Sequence, residues 1–176
     1  MAGEFNISIT VTGQEQILVG FSRLAEDIQD WSEVFQDIGA DFHEMEARQF
    51  DSEGGYGGTP WAPLSKNYAA WKARNFPGNQ ILVLSGQLKE SLIEGDADII
   101  EAMHAFYGTR LPVASFHQFG TSRMPARPVV FMTDEDLTRW TKLVQLWLVR
   151  KANKAFAGLM PSIGAGESAI KSIQQE

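Results

Sequence analysis

Phe5, Ile7, Ile9 and Val11 alternate with Asn6, Ser8, Thr10 and Thr12, the two-residue period of a strand with one buried face, so residues 4–12 are predicted as strand. From Gly13 the period changes. Ile17, Leu18, Phe21, Leu24, Ala25 and Ile28 recur at spacings of three and four, and the pattern resumes after Asp30 with Trp31, Val34, Phe35, Ile38, Phe42, Met45 and Phe50, which is one face of a helix. The segment reads either as one long helix or as two joined near Asp30–Ser32. An unbroken helix over 14–50 would be ~55 Å long at 1.5 Å per residue and would need something beyond its own domain to pack on.

Breakers follow. Gly54-Gly55-Tyr56-Gly57-Gly58-Thr59-Pro60-Trp61 is a glycine-rich loop in which Pro60 restricts the residue before it. Ser65 is placed to cap a short helix, Lys66 to Arg74, that ends before Phe76-Pro77-Gly78. A second short helix is predicted after Ser85, with Leu88 and Leu92 at helical spacing. One or two short strands lie between Ile99 and Tyr107, and a helical turn over Val113–Phe119 stops at Gly120. Val129 to Met132 reads as a strand. Thr133 then caps a helix that opens on Asp134, Glu135 and Asp136, carries Leu137, Trp140, Val144, Trp147 and Leu148 as its apolar stripe, and runs to about Phe156. Arg150, Lys151 and Lys154 near its end suit the helix dipole. The expected architecture is α+β (or α/β), with a long N-terminal helical segment, a small, mostly antiparallel sheet and a C-terminal amphipathic helix. It forms one domain over 1–156, with a mobile tail over 157–176.

At 176 residues the length fits one domain, and 11 Phe with 5 Trp supply a core. The absence of Cys excludes disulfides, thiolate metal sites and cysteine nucleophiles. No run of about 18 apolar residues is present, and residues 1–20 lack a basic segment followed by an apolar one. The expectation is a protein made and kept in the cytoplasm, away from membranes. A net charge of −7 and a pI of about 5.0 argue against broad capture of nucleic acid. Most of that charge lies in the N-terminal helical segment, where acids from Glu15 to Glu53 face only Arg23 and Arg48. Asp30, Glu33, Asp37 and Asp41 either form a solvated outer face or meet a basic partner.

Candidate chemistry is sparse. His43, His104 and His117 show no metal-ligand spacing, Ser65 and Ser85 lack the flanking glycines of a nucleophile elbow, and neither glycine cluster is followed by a phosphate-binding Lys. No catalytic set, cofactor site or metal site is expected.

The stretch from Glu53 to Pro128 carries an ordered series. It runs Glu53-Gly54-Gly55, Trp61-Ala62-Pro63-Leu64-Ser65 with Tyr68 and Lys72, and Ile81-Leu82 with Ser85-Gly86-Gln87-Leu88 and Ser91. His117-Gln118-Phe119-Gly120 and Pro125-Ala126-Arg127-Pro128 complete it. This series resembles the virion morphogenesis, or tail completion, proteins of Mu-like tailed bacteriophages. The resemblance implies a non-enzymatic component of the phage neck, similar to the tail terminators: an α/β subunit in a homo-oligomeric ring, usually hexameric. Such a ring closes the tail tube and presents it to the head. The implied partners are further copies of the chain, the tail tube protein and a head–tail connector or stopper, in the virion neck and in the host cytoplasm during assembly. A head-side connector (stopper or adaptor) is the nearest alternative, and a non-viral binding domain with a similar motif series the next.

Several residues in the series are assembly candidates. Met124 and Arg127 each precede a proline, which favours an extended arm. Arg127 either pairs with a carboxylate across a subunit boundary, by two parallel bonds, or anchors its own loop. Trp61, Pro63, Leu64 and Tyr68 form an apolar anchor that docks either on the core or on a neighbour. His117 and Phe119 beside Gly120, and Pro128 after Arg127, complete the set. DNA must traverse a neck, and carboxylates facing the channel would repel its phosphates and let it pass without specific binding.

Overall fold

The amphipathic stretch after Gly13 is two helices, α1 (Gln14–Asp27) and α2 (Ser32–Asp51), in the computed structural model, which describes residues 13–159. The strand predicted over 4–12 and nearly all of the predicted tail lie outside the described residues. The division falls where the sequence allowed it: Asp30 Oδ1 accepts the N–H of Ser32 at 2.9 Å, satisfying one of the open donors at the start of α2. After a short 3₁₀ turn (Gly55–Gly57) come α3 (Lys66–Asn75), α4 (Gln87–Ile93), β1 (Ile99–Ile100), β2 (Ala105–Phe106), α5 (Val113–Phe119) and α6 (Asp134–Phe156). The chain is thus mostly helical, with helices toward both ends. Among the described residues the small sheet is one antiparallel pair, in which Ile99 faces Phe106 and Ile100 faces Ala105.

The strand expected at Val129–Met132 is not present. A single side chain takes the place of its partner: Gln118 Oε1 accepts from the N–H groups of Val129 (2.9 Å) and Val130 (3.0 Å), while Gln118 Nε2 donates to the Val130 carbonyl at 2.9 Å. An amide can satisfy both backbone polarities locally, so the segment needs no neighbouring strand.

The described residues fall into two compact units. One holds α1 and the end of α6, from Leu146 onward. Within it Phe21 and Phe156 meet edge to face at 5.3 Å, Lys154 Nζ lies 3.1 Å from Asp27 Oδ2, and Gly20 leaves the space that Phe156 fills, since a Cβ there would lie 2.4 Å from the ring. The other unit, Asp30–Gln145, contains the main core. Phe42, Met45 and Phe50 from α2 pack with Trp61, Leu88, Leu92 and Val129, and Val34 and Ile38 continue the same buried face of α2. Of the stripe expected on α6, Trp147 is buried but Leu137 is half exposed. The first turn is oriented instead by its polar residues.

Those residues form one network. Thr133 and Asp136 cap α6 reciprocally: Asp136 N–H donates to Thr133 Oγ1 at 3.2 Å, and Thr133 donates to Asp136 Oδ2 from its N–H (2.8 Å) and its hydroxyl (2.6 Å). Tyr56 donates its hydroxyl to Asp136 Oδ1, and Arg139 bridges Asp136 (2.6 Å) to Asp41 (2.6 and 2.8 Å). Trp140 Nε1 donates to Asp41 at 2.6 Å. Burial alone would raise the Asp136 carboxyl, but the hydrogen bonds from Thr133, Tyr56 and Arg139 outweigh it and hold the group at about 2. Glu46 on α2 is the opposite case. It is fully buried, neither carboxylate oxygen has a hydrogen-bond partner among the described residues, and burial pushes it up to about 8.

Two stability predictions follow from these carboxyls. Asp136 is held below its unfolded value, so its contribution is complete above about pH 4 and is lost as pH falls toward 2. Asp136→Ala should cost about 3–5 kcal/mol at pH 7, because Arg139 loses a buried partner, and chemical denaturation at pH 7 and pH 3 should show the difference between the variants shrinking in acid. Glu46 has the reverse sign: stability falls by up to about 1.4 kcal/mol per pH unit as pH rises from 4.5 toward 8. Glu46→Gln should raise the melting temperature at pH 8 and flatten that slope.

A candidate assembly groove

Glu53 adopts φ 49° and Gly54 φ 90°, turning the chain after α2. A Cβ on Gly54 would lie 2.5 Å from the Trp61 indole, so glycine is required for Trp61 to fold back onto Phe50, which it meets edge to face at 5.3 Å. Trp61 is therefore a core residue, 5% exposed. Its Nε1 donates to the Pro128 carbonyl at 2.8 Å, and Gln49 Nε2 donates to the same oxygen at 2.9 Å.

Arg127 completes the junction from the other side. It is 4% exposed; Nε donates to the Ala62 carbonyl at 2.7 Å and Nη2 to the Pro63 carbonyl at 3.0 Å. Its backbone N–H donates to the His117 carbonyl at 2.7 Å. Of the two readings of Arg127, the one on display within the chain is the anchor of its own loop. The guanidinium is taken up by the carbonyls of Ala62 and Pro63, two acceptors of its own chain. Burial lowers the Arg127 pKa from its usual value. The arm leading to it is set by a turn at Gly120, where φ is 72° and an added Cβ would lie 2.7 Å from the Ala126 nitrogen.

These tied segments wall a groove of about 660 Å³. Pro63, Leu64 and Tyr68 approach from the start of α3, Leu82 and Leu84 from the loop before α4, Leu111 and Val113 from the approach to α5, and Met124 and Pro125 from the arm. Ser65 accepts the Tyr68 N–H as the predicted helix cap. Lys72, Arg123, Arg127 and His117 also line the groove, and no Asp or Glu does. Lys72 is 5% exposed and its ammonium donates to the Gln80 carbonyl; burial lowers its pKa, and the charge of Glu53 partly offsets that. Burial, aided by the charge of Arg127, also lowers the pKa of His117, whose Nδ1 is buried without a partner among the described residues. A neutral imidazole with no orienting carboxylate is poorly equipped for general base work. The arrangement suits binding of a mostly apolar group carrying negative charge.

Of the sequence candidates, Pro63, Leu64, Tyr68, His117 and Arg127 meet in this groove, whereas Trp61 and the Pro128 carbonyl stand behind its wall. Phe119 is 80% exposed and is not among the lining residues. Asp30, Glu33 and Asp37 are exposed, but Asp41 departs from that acidic face and turns inward to Arg139 and Trp140. Sequence reasoning passed over Gln49 and Arg123, which carry no periodic or motif signal. Among the described residues no group of acids and histidines is arranged to hold a metal ion, and no helix is long and apolar enough to cross a membrane.

The profile of the phage virion morphogenesis family matches residues 13–149, a range that contains every wall of the groove. No curated protein and no solved structure matches the chain.

Arg127→Lys is predicted to destabilise the protein by about 1–3 kcal/mol, since an ammonium cannot reproduce the two directed donors at Ala62 and Pro63. Urea unfolding followed by tryptophan fluorescence checks this, and wild-type stability in the variant would refute the anchoring role.

Proposed function

The chain belongs to the phage virion morphogenesis family, and on that premise we propose that it is a structural protein of the phage neck that completes the tail and joins it to the head, acting as a terminator ring. The observation that carries the reading is the groove, which gathers separated motif segments into one preformed surface rather than into a catalytic set. A ring subunit needs two different complementary patches, because a heterologous contact closes only by rotation. The cation-lined groove is one such patch, and it uses no residue of the acidic α2 face. In this reading the partners are further copies of the chain, the tail tube protein and a head-side connector. Exposed Asp30, Glu33 and Asp37 disfavour phosphate contacts, so DNA passes without being held.

Phage lacking the chain should accumulate separate heads and tails, and adding the purified protein to tails should restore joining. Joined, infectious particles in its absence would overturn the reading. Rescue by binding to heads alone would move the protein to the head side of the junction. Six copies of the 19.5 kDa chain would weigh about 117 kDa, which light scattering on the protein, alone and with tail tubes, can detect.

A further inference from the structure

The antiparallel pair of β1 and β2 exposes apolar side chains along its length. Met103, in the turn, is 68% exposed, and Phe106 and Ile99, which face each other at the opposite end, are 63% and 44% exposed, apolar area of the kind that marks a contact surface. The turn is held in place. Trp31 donates its N–H to the Ala102 carbonyl at 2.8 Å, Glu101 N–H donates to the His104 carbonyl at 2.9 Å, and His104 Nε2 lies 3.4 Å from Glu101 Oε2. Glu94, Asp96 and Glu101 are exposed before or in this turn. The hairpin is thus a braced element, with exposed apolar residues in its turn and on its strands and acids beside them.

The groove has the inverse character. It is walled by Leu, Pro, Val and Met side chains, contains Lys72, Arg123 and Arg127 without any carboxylate, and includes no residue of the hairpin. Its volume of about 660 Å³ is in the range that takes a small ligand or a few side chains. We propose that the hairpin of one copy, with Glu101 and Met103 in its turn and Phe106 on β2, docks in the groove of a second copy. This rests on the neck-ring reading above and supplies its contact. Hairpin and groove are different surfaces of one chain, so each copy offers both halves of a head-to-tail interface, and repetition builds a ring when the rotation closes. Buried apolar contact supplies the attraction, and the match of charge fixes the direction.

The chain has no cysteine, which makes a direct test available. Met103→Cys and Leu84→Cys are both at exposed positions, the second on the groove. Tails completed with chains carrying both changes should, on mild oxidation, yield a ladder of covalent multimers, whereas tails completed with either single variant should yield monomers. Mixing the two single variants should give dimers only between unlike chains. Dimers from Met103→Cys alone, a bond from Leu84→Cys to a different virion protein, or no bond in tails that contain the chain would each overturn the proposal. Head–tail joining, scored on the same particles with unmodified protein, reports separately on the neck reading: joining without the predicted ladder rejects the hairpin contact alone.

Discussion

The groove unit depends on two backbone segments, 61–63 and 127–128, that have no secondary structure of their own to hold them. Each supplies what the other lacks. Arg127 brings donors to the carbonyls of Ala62 and Pro63, while Pro128 returns its carbonyl to the indole of Trp61 and the amide of Gln49. Because buried carbonyls left unpaired are costly, the exchange is nearly obligatory once Trp61 enters the core. The tight glycine at 54 and the prolines at 125 and 128 follow from it: the first makes room for the indole, and the others hold the arm extended.

This explains why some features were legible in the sequence and others were not. Helix positions came through well, because Ser65, Thr133 and Gly120 act locally and the spacing of Phe42, Met45 and Phe50 is set by the helix itself. The small antiparallel sheet and the terminal amphipathic helix were likewise readable. The apparent strand at Val129–Met132 was misleading because alternation reports a buried face but not what satisfies the backbone, and here a glutamine side chain does so. Asp41 was misplaced for a similar reason. Its spacing matches Asp30, Glu33 and Asp37, yet Arg139, almost a hundred residues away in sequence, draws it inward. Five of the assembly candidates drawn from the motif series, Pro63, Leu64, Tyr68, His117 and Arg127, line one groove, although no local rule foretold their meeting.

Charge is handled in two contrasting ways inside the same unit. Asp136 and Asp41 are surrounded by donors and stay ionised, giving a rigid polar junction beneath the first turn of α6. Glu46, Lys72 and Arg127 are buried without an ion pair to neutralise them among the described residues. Glu46 adapts by holding its proton. The two cations remain at the groove wall on carbonyls of their own chain, and their burial costs stability.

The amide of Gln118 has an effect beyond the loop it satisfies. A free extended segment such as 129–132 would present unpaired N–H and C=O groups, a ready template for indiscriminate pairing between chains. By occupying the N–H groups of Val129 and Val130 and the Val130 carbonyl with a side chain of the same molecule, the fold removes part of a template for fibrous stacking.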